Sequence, residues 1–250
     1  MSIKLEISLG EAIDKLTILD IKRDKILDNR KNDVENEFDY LLTELNMYVT
    51  KYQYYYKILK KTNLEIWDLQ DTLRGDGCNK DDFYGICDEI LNLNDSRYLI
   101  KKKLNELSNS QLKEQKGYKL RGLNILFGCN TDATTIDILN GAIRYYSFFY
   151  DEINLIPKSS ECEIQIGQMF KDDPFIKVHS RSLASHHTDE ATPNNDFISI
   201  VDNEISVNIT HSFFTKKHHS GNGDIKYSNQ INDIYNKLGI RVSIFDEYRN

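Results

Sequence analysis

The sequence predicts an α+β protein in two parts: an antiparallel helical bundle or hairpin over residues 1–118, then a Rossmann-like α/β domain with a mainly parallel sheet over residues 119–250. Three observations carry that prediction. Apolar residues recur at three- and four-residue steps through four successive segments up to Leu107. Beyond Tyr118 the segments shorten, and strand-like and helix-like patterns alternate. Within that second part, Leu123 to Ile156 reads as a βαβ unit: a buried strand (Leu123 to Gly128), a polar loop (Cys129 to Thr135), a helix (Ile136 to Tyr150) and a second strand (Glu152 to Ile156).

Taken in order, Ile3, Leu5 and Ile7 alternate with Lys4 and Glu6, which predicts a short opening strand. Ser8 and Glu11 then form S-x-x-E, a capping box in which the serine oxygen accepts from a free N–H of the first turn and the glutamate reaches back. The helix that starts there has Leu9, Ala12, Ile13, Leu16, Leu19 and Ile26 as its apolar stripe, with Asp14, Lys15, Lys22 and Arg23 mostly off it. Asp33 is the expected cap of a second helix carrying Phe38, Leu41, Leu42 and Leu45 on one face. A third runs from Tyr55 to Arg74 through Leu59, Leu64 and Trp67, and ends at Gly75, Asp76 and Gly77. A fourth, from Asp82 to Leu107, uses Phe83, Ile86, Ile90, Leu93, Ile100 and Leu104. The run Tyr54, Tyr55, Tyr56 reads as packing, because no basic groove accompanies it.

In the α/β part, Ile136, Leu139, Ile143, Tyr146 and Tyr150 share one helix face, while Asp137, Asn140 and Arg144 form a polar stripe expected to be solvated. A helix from Cys162 to Lys171, a turn at Asp172, Asp173 and Pro174, and a strand from Phe175 to Val178 follow. Ser180 to Asn195 is a long polar loop, a type often functional in compact domains. Phe197 to Val201 and Ile205 to Ile209 read as a hairpin around Asp202 and Asn203. The loop Lys216 to Asp224, a helix from Tyr227 to Leu238 stopped by Gly239, and a strand from Ile240 to Phe245 complete the prediction.

Composition narrows the function. A chain of 250 residues with 40% hydrophobic content is globular, and its net charge of −7 leaves no basic excess in either part, so nucleic acid is not an expected partner. Lys101, Lys102 and Lys103 form the one basic run, expected to be a solvated helix face. No apolar run approaches the ~20 residues that span a bilayer, and the N-terminus lacks a secretory pattern, so no membrane span and a cytoplasmic location are expected. Cys78, Cys87, Cys129 and Cys162 lack C-x-x-C spacing and read as free thiols. His186, His187 and Asp189, and the pair His218 and His219, lack ligand spacing, so no metal is expected. The loop from Gly128 to Thr135 has one glycine and no lysine; it is neither a Walker nor a dinucleotide fingerprint, and no cofactor is expected. Its hydroxyls and amides can still hold a sugar or phosphate at a helix N-terminus. Richness in Asn, Ile, Lys and Tyr fits an AT-rich genome, that of a giant virus or a low-GC microbe.

Two resemblances add to this reading. The run Ser8 to Lys22 (S-L-G-E-A-I-D-K-L-T-I-L-D-I-K) resembles the opening of an uncharacterised helical family of bacteria and phages, which reads G-E-L-x-D-K-I-T-I-L-E-I-K. Its further landmarks match Asn63, Trp67, Asp68, Asp71 and Arg74, then Asn94 and Arg97, then Glu114, Lys116 and Tyr118. That resemblance covers the first half, implies no activity, and associates it with surface-polysaccharide and glycosyl-transfer genes. Of the polar landmarks, Asp71 and Arg74 are expected to pair along the helix; a pocket of Asp14, Lys15, Trp67 and Arg74 is the alternative.

In the second half, Asn140 to Arg144 (N-G-A-I-R), Tyr150 to Leu155 (Y-D-E-I-N-L) and Met169 to Val178 (M-F-K-D-D-P-F-I-K-V) are similar to the N-terminal Rossmann-like half of heptosyltransferase-like GT-B glycosyltransferases. The resemblance implies a catalytic aspartate just before the helix, where this chain has Thr134, Thr135 and Ile136. Asp132 and Asp137 are then the candidate bases, with Asn130, Thr131, Thr134, Thr135, Asn140 and Arg144 as candidate ligand-binding residues. The combined expectation is a glycan-pathway protein with a single, degenerate glycosyltransferase-like domain that binds a sugar or nucleotide-sugar. The alternative is a non-enzymatic interaction protein whose residues 1–118 bind a protein partner or self-associate.

Overall fold

The computed structural model describes residues 4–75, 80–117, 120–128, 140, 143–180, 195–201 and 204–208. The chain divides into two units, Met1–Gly117 and Tyr118–Asn250. The first holds α1 (Leu9–Lys25), α2 (Lys31–Lys51), α3 (Gln53–Arg74) and α4 (Lys80–Leu107). α1 is its centre. It packs against the other three helices, and Ile13, Leu16, Leu19 and Ile21 are buried along it. Burying each such side chain contributes about 1.5–3 kcal/mol relative to exposure, so a polar residue at Leu16 would break the unit.

The start of α1 shows how its neighbours complete it. The first N–H groups of a helix have no partner within the helix. Here the Leu9 N–H donates to Ser110 Oγ (3.1 Å), the Gly10 N–H to Asn105 Oδ1 (2.7 Å) and the Glu11 N–H to Ser8 Oγ (3.3 Å). Ser8 therefore caps as predicted, but Glu11 does not reach back. Its carboxylate is 2.6 Å from Lys101 Nζ on α4, because a buried ammonium needs an anion more than an N–H needs a second acceptor. Gly10 allows this approach: a Cβ there would lie 2.6 Å from the Lys101 carbonyl oxygen.

Three other expectations change. Residues 4–8 form no strand, and Leu5 and Ile7 are exposed; their alternation meets no neighbouring strand among the described residues. α2 begins at Lys31 rather than after Asp33, since the Asp28 carboxylate accepts from the Arg30 N–H (3.0 Å) and its guanidinium (2.6 Å), turning the chain two residues early. Lys101 and Lys103 are buried, so the basic run is no solvated face. Their stems lie against the unit's interior, and the Lys101 charge is met by carboxylates on both sides.

α2 and α3 are separated by Tyr52 alone, whose N–H bonds to the Tyr48 carbonyl (2.8 Å) and whose carbonyl accepts from the Tyr56 N–H (3.1 Å). Its hydroxyl donates to the Leu107 carbonyl at the end of α4 (3.1 Å). α4 closes where Asn109 takes a left-handed φ of 52°, which asparagine tolerates, and the Ser110 N–H bonds back to the Asn105 carbonyl (2.8 Å).

Among its described residues the second unit forms a five-stranded sheet of β1 (Gly122–Phe127), β2 (Glu152–Pro157), β3 (Ile176–Val178), β4 (Asn195–Val201) and β5 (Glu204–Asn208), in the order β3-β2-β1-β4-β5. β1, β2, β3 and β4 are mutually parallel, and β5 turns back antiparallel on β4. The mainly parallel sheet and the hairpin around residues 202 and 203 are as the sequence predicts. Leu123, Ile125 and Phe127 alternate on one face, level with Ile153 and Leu155 on β2 and with Ile198 and Ile200 on β4, all buried. The helical turns at 143–149 bring Tyr145, Tyr146, Phe148 and Phe149 into the core. α5 (Ser160–Phe170), capped by Ser159, packs on β2 and β3. The predicted segments Lys216 to Asp224, Tyr227 to Leu238 and Ile240 to Phe245 lie outside the described residues, as does the interior of the Ser180 to Asn195 loop.

Candidate functional site

Two places gather polar chemistry, one in each unit. In the α/β unit, the strand order reverses direction between β1 and β4, and open α/β sheets hold ligands at the carboxyl ends of strands beside such a reversal. Directly after β1 stands Gly128, whose N–H donates to the Ile200 carbonyl (2.6 Å) and whose carbonyl accepts from Cys162 Sγ (3.4 Å). The same edge carries Lys158 and Ser159 after β2 and His179 after β3. His179 Nε2 lies 2.9 Å from Asn154 Oδ1, and Asn154 Nδ2 donates to Asn124 Oδ1 (3.1 Å), a polar row across three strands. Among the described residues no three His, Cys, Asp or Glu stand close enough to hold a metal ion.

Of the predicted site residues, Asn130, Thr131, Asp132, Thr134, Thr135 and Asp137 lie outside the described residues. Asn140 and Arg144 are described, and they meet each other: Arg144 Nε donates to Asn140 Oδ1 (3.0 Å). The rest of that guanidinium donates to Asp173 Oδ2 (2.6 Å) and the Met169 carbonyl (3.3 Å), and it lies over the Phe170 ring. Asp173 precedes β3, so Arg144 is tied to the amino-terminal edge of the sheet, away from Gly128. The polar stripe expected to be solvated thus contains a clasp from the helical turns to the end of α5, with Asp173 held further by the Phe175 N–H (3.0 Å). A second buried bond, Tyr150 Oη to Asp196 Oδ2 (2.6 Å), joins the start of β2 to β4; burial and the carboxylate push the tyrosine pKa well up.

In the helical unit the chemistry centres on Asp14, buried although its stripe position reads as polar surface. Arg97 on α4 grips it with two bonds, Nε to Oδ1 (2.9 Å) and Nη2 to Oδ2 (2.5 Å), and Asn63 on α3 donates to Oδ1 (2.8 Å) and to Thr17 Oγ1 (2.9 Å). One turn along, Lys101 Nζ lies between Glu11 (2.6 Å) and Glu114 (2.7 Å). Burial opposes the Arg97 charge, but the bonds and charge of Asp14 outweigh it and hold the guanidinium above its ordinary value. Lys101 is raised in the same way, burial being overcome by Glu11 and Glu114; Glu114 is lowered, burial being overcome by Lys101.

The alternative pocket of Asp14, Lys15, Trp67 and Arg74 is not assembled. Lys15 pairs with Glu37 on α2 (2.7 Å), and Arg74 pairs in solvent with Asp71 (3.4 Å), the pairing expected along that helix. Sequence reasoning missed Lys101, Asn105 and Ser110 as partners of α1. A usable signal was present: Arg97, Lys101 and Asn105 stand four apart, one polar stripe on an otherwise core-facing helix.

Residues 3–124 match a family of unknown function, DUF6165. The match spans α1 to α4, the segment after them and the first half of β1, in keeping with the resemblance of this part to an uncharacterised family. Within the DUF6165 span lie all members of the Asp14 and Lys101 clusters; Asn140 to Val178 lies beyond it. No curated protein and no solved structure matches the chain.

Proposed function

We propose that the α/β unit is a single, degenerate glycosyltransferase-like domain of a glycan or polysaccharide pathway, carried on the DUF6165 helical unit. The observation that supports it is the parallel order β3-β2-β1-β4, which sets Gly128 at the reversal point where related architectures take nucleotide-bearing ligands. In this reading Asn130, Thr131, Thr134 and Thr135 contact the sugar or nucleotide-sugar, Asp132 or Asp137 takes the proton of an acceptor hydroxyl, and Asn140 and Arg144 brace the helix that follows. Calorimetry of the full chain against a panel of nucleotide-sugars tests it: a binding isotherm that Asp132→Asn or Asp137→Asn weakens supports the reading, and flat titrations across the panel sink it.

A second reading, a non-enzymatic interaction protein, is favoured by exposed apolar side chains seven residues apart on two helices: Tyr40 and Met47 on α2, Tyr84 and Leu91 on α4. Such spacing places each pair on one helix face. Sedimentation of the full chain over a wide concentration range tests self-association, and a strictly monomeric protein would count against that form of it.

A further inference from the structure

The segment 110–117, which follows α4 and leads to the second unit, runs back along α4 as a strap. Three contacts mark its course. Ser110 Oγ accepts from the Leu9 N–H, the Glu114 carboxylate meets Lys101 (2.7 Å), and Lys116 Nζ lies 3.7 Å from Asp95 and 5.2 Å from the Tyr98 ring centre. On α4 the successive partners, Asn105 for the Ser110 N–H, then Lys101 and Asp95, step backward along the helix.

Two features set this strap apart from the helices beneath it. It has no buried apolar anchor: residues 111–115 are exposed, and Leu112, its one large apolar side chain, is 47% exposed. Its hold is therefore electrostatic and polar. The second feature is the charge pattern underneath. Lys101 already has Glu11, and Arg97 already has Asp14, so both of these cations keep an anion when Glu114 leaves. Ordinarily, removing one partner of a buried ion pair strands the other at a cost of about 3–5 kcal/mol. Here neither Lys101 nor Arg97 is stranded, and the two carboxylates that crowd Lys101 separate.

We propose that residues 111–117 of the strap are a releasable latch hinged at Ser110, which stays on α1 and α4: Glu114 and Lys116 hold the latch on α4 at low ionic strength, and its detachment leaves α1 to α4 folded while adding its length to the tether between the two units. The seven residues 111–117 freed from α4 supply up to about 23–25 Å of extended chain. Screening is the natural lever, since the Debye length falls from about 30 Å at 0.01 M to about 3 Å at 1 M salt.

Backbone ¹⁵N relaxation on the full chain at these two salt concentrations, with Glu114→Gln as a second route, tests the latch. At 0.01 M salt the strap amides should share the order parameter of rigid backbone, about 0.85; at 1 M, or in Glu114→Gln at low salt, residues 111–117 should fall below about 0.6 while Ile100 and Leu104 stay rigid. Three results would overturn the proposal: a strap that stays rigid under all conditions, a strap already mobile at low salt, or α1 and α4 amides that loosen together with it.

Discussion

Two arginine–aspartate clasps among the described residues, Arg97–Asp14 in the helical unit and Arg144–Asp173 in the α/β unit, differ in their settings. Arg97 and Asp14 bridge helices 83 residues apart in sequence, and the side chains are 26% and 5% exposed. Arg144 and Asp173 are 29 residues apart, within one stretch of the α/β unit, with side chains 35% and 14% exposed. Asp14 depends on side chains from α3 and α4, whereas Asp173 keeps the Phe175 N–H whatever happens to Arg144. The same chemistry therefore sets the register of three helices in one place and staples a local turn in the other.

Substitutions should separate the two. Arg97→Met leaves Asp14 buried without its cation, and a loss of about 3–5 kcal/mol in urea unfolding is expected; pairing it with Asp14→Leu should recover much of that, and a double variant as unstable as the single would contradict the register role. Gly10→Ala, which drives a Cβ onto the Lys101 carbonyl, should cost about 1–3 kcal/mol and is read in the same assay. Arg144→Met should cost less than Arg97→Met, about 1–2 kcal/mol, because Asp173 retains a donor. Equal losses at the two arginines would erase the distinction between the clasps.

The smallest expected effect is in the pH profile. Lys101 is raised in the folded state, so its contribution is complete below its unfolded value of about 10.4 and is lost as pH rises through the higher folded value. Glu114 is lowered, so its contribution is present above about 4.3 and is lost as pH falls through the folded value. Unfolding followed across pH should show a plateau between these limits, and Glu114→Gln should remove part of the acid-side slope while sparing the Arg97 effect. An acid limb unchanged by that substitution would place the acid sensitivity elsewhere.

Legibility in the sequence followed the range of the cause. The stripe of Leu9, Ile13 and Leu16 and the alternation of Leu123, Ile125 and Phe127 come from local periods, and the helices and parallel strands built on them are where the sequence predicts. The burial of Asp14 depends on Asn63 and Arg97, 49 and 83 positions away, and no local pattern encodes a partner at that distance. Lys101 failed for the same reason: one lysine in a row of three looks solvated until α1 and the strap close around it. The antiparallel return of β5 was readable because its hairpin is short. Of the candidate site, the sheet edge at Gly128 was legible from the βαβ pattern, while the commitment of Arg144 to Asp173 required knowing that the end of α5 comes back beside the helical turns.

The single-residue junction at Tyr52 has a mechanical consequence. Because the hydrogen bonds to Tyr48 and from Tyr56 run through it, α2 and α3 form a bent beam with an elbow pinned to the end of α4 by the tyrosine hydroxyl. α2, with only Phe38 and Leu45 buried along its 21 residues, is the forearm of that beam. At 1.5 Å per residue it is about 31 Å long, so a rotation of about 10° at the elbow carries its far end through about 5 Å. The same rotation would carry Tyr40, about 18 Å from the elbow, through about 3 Å.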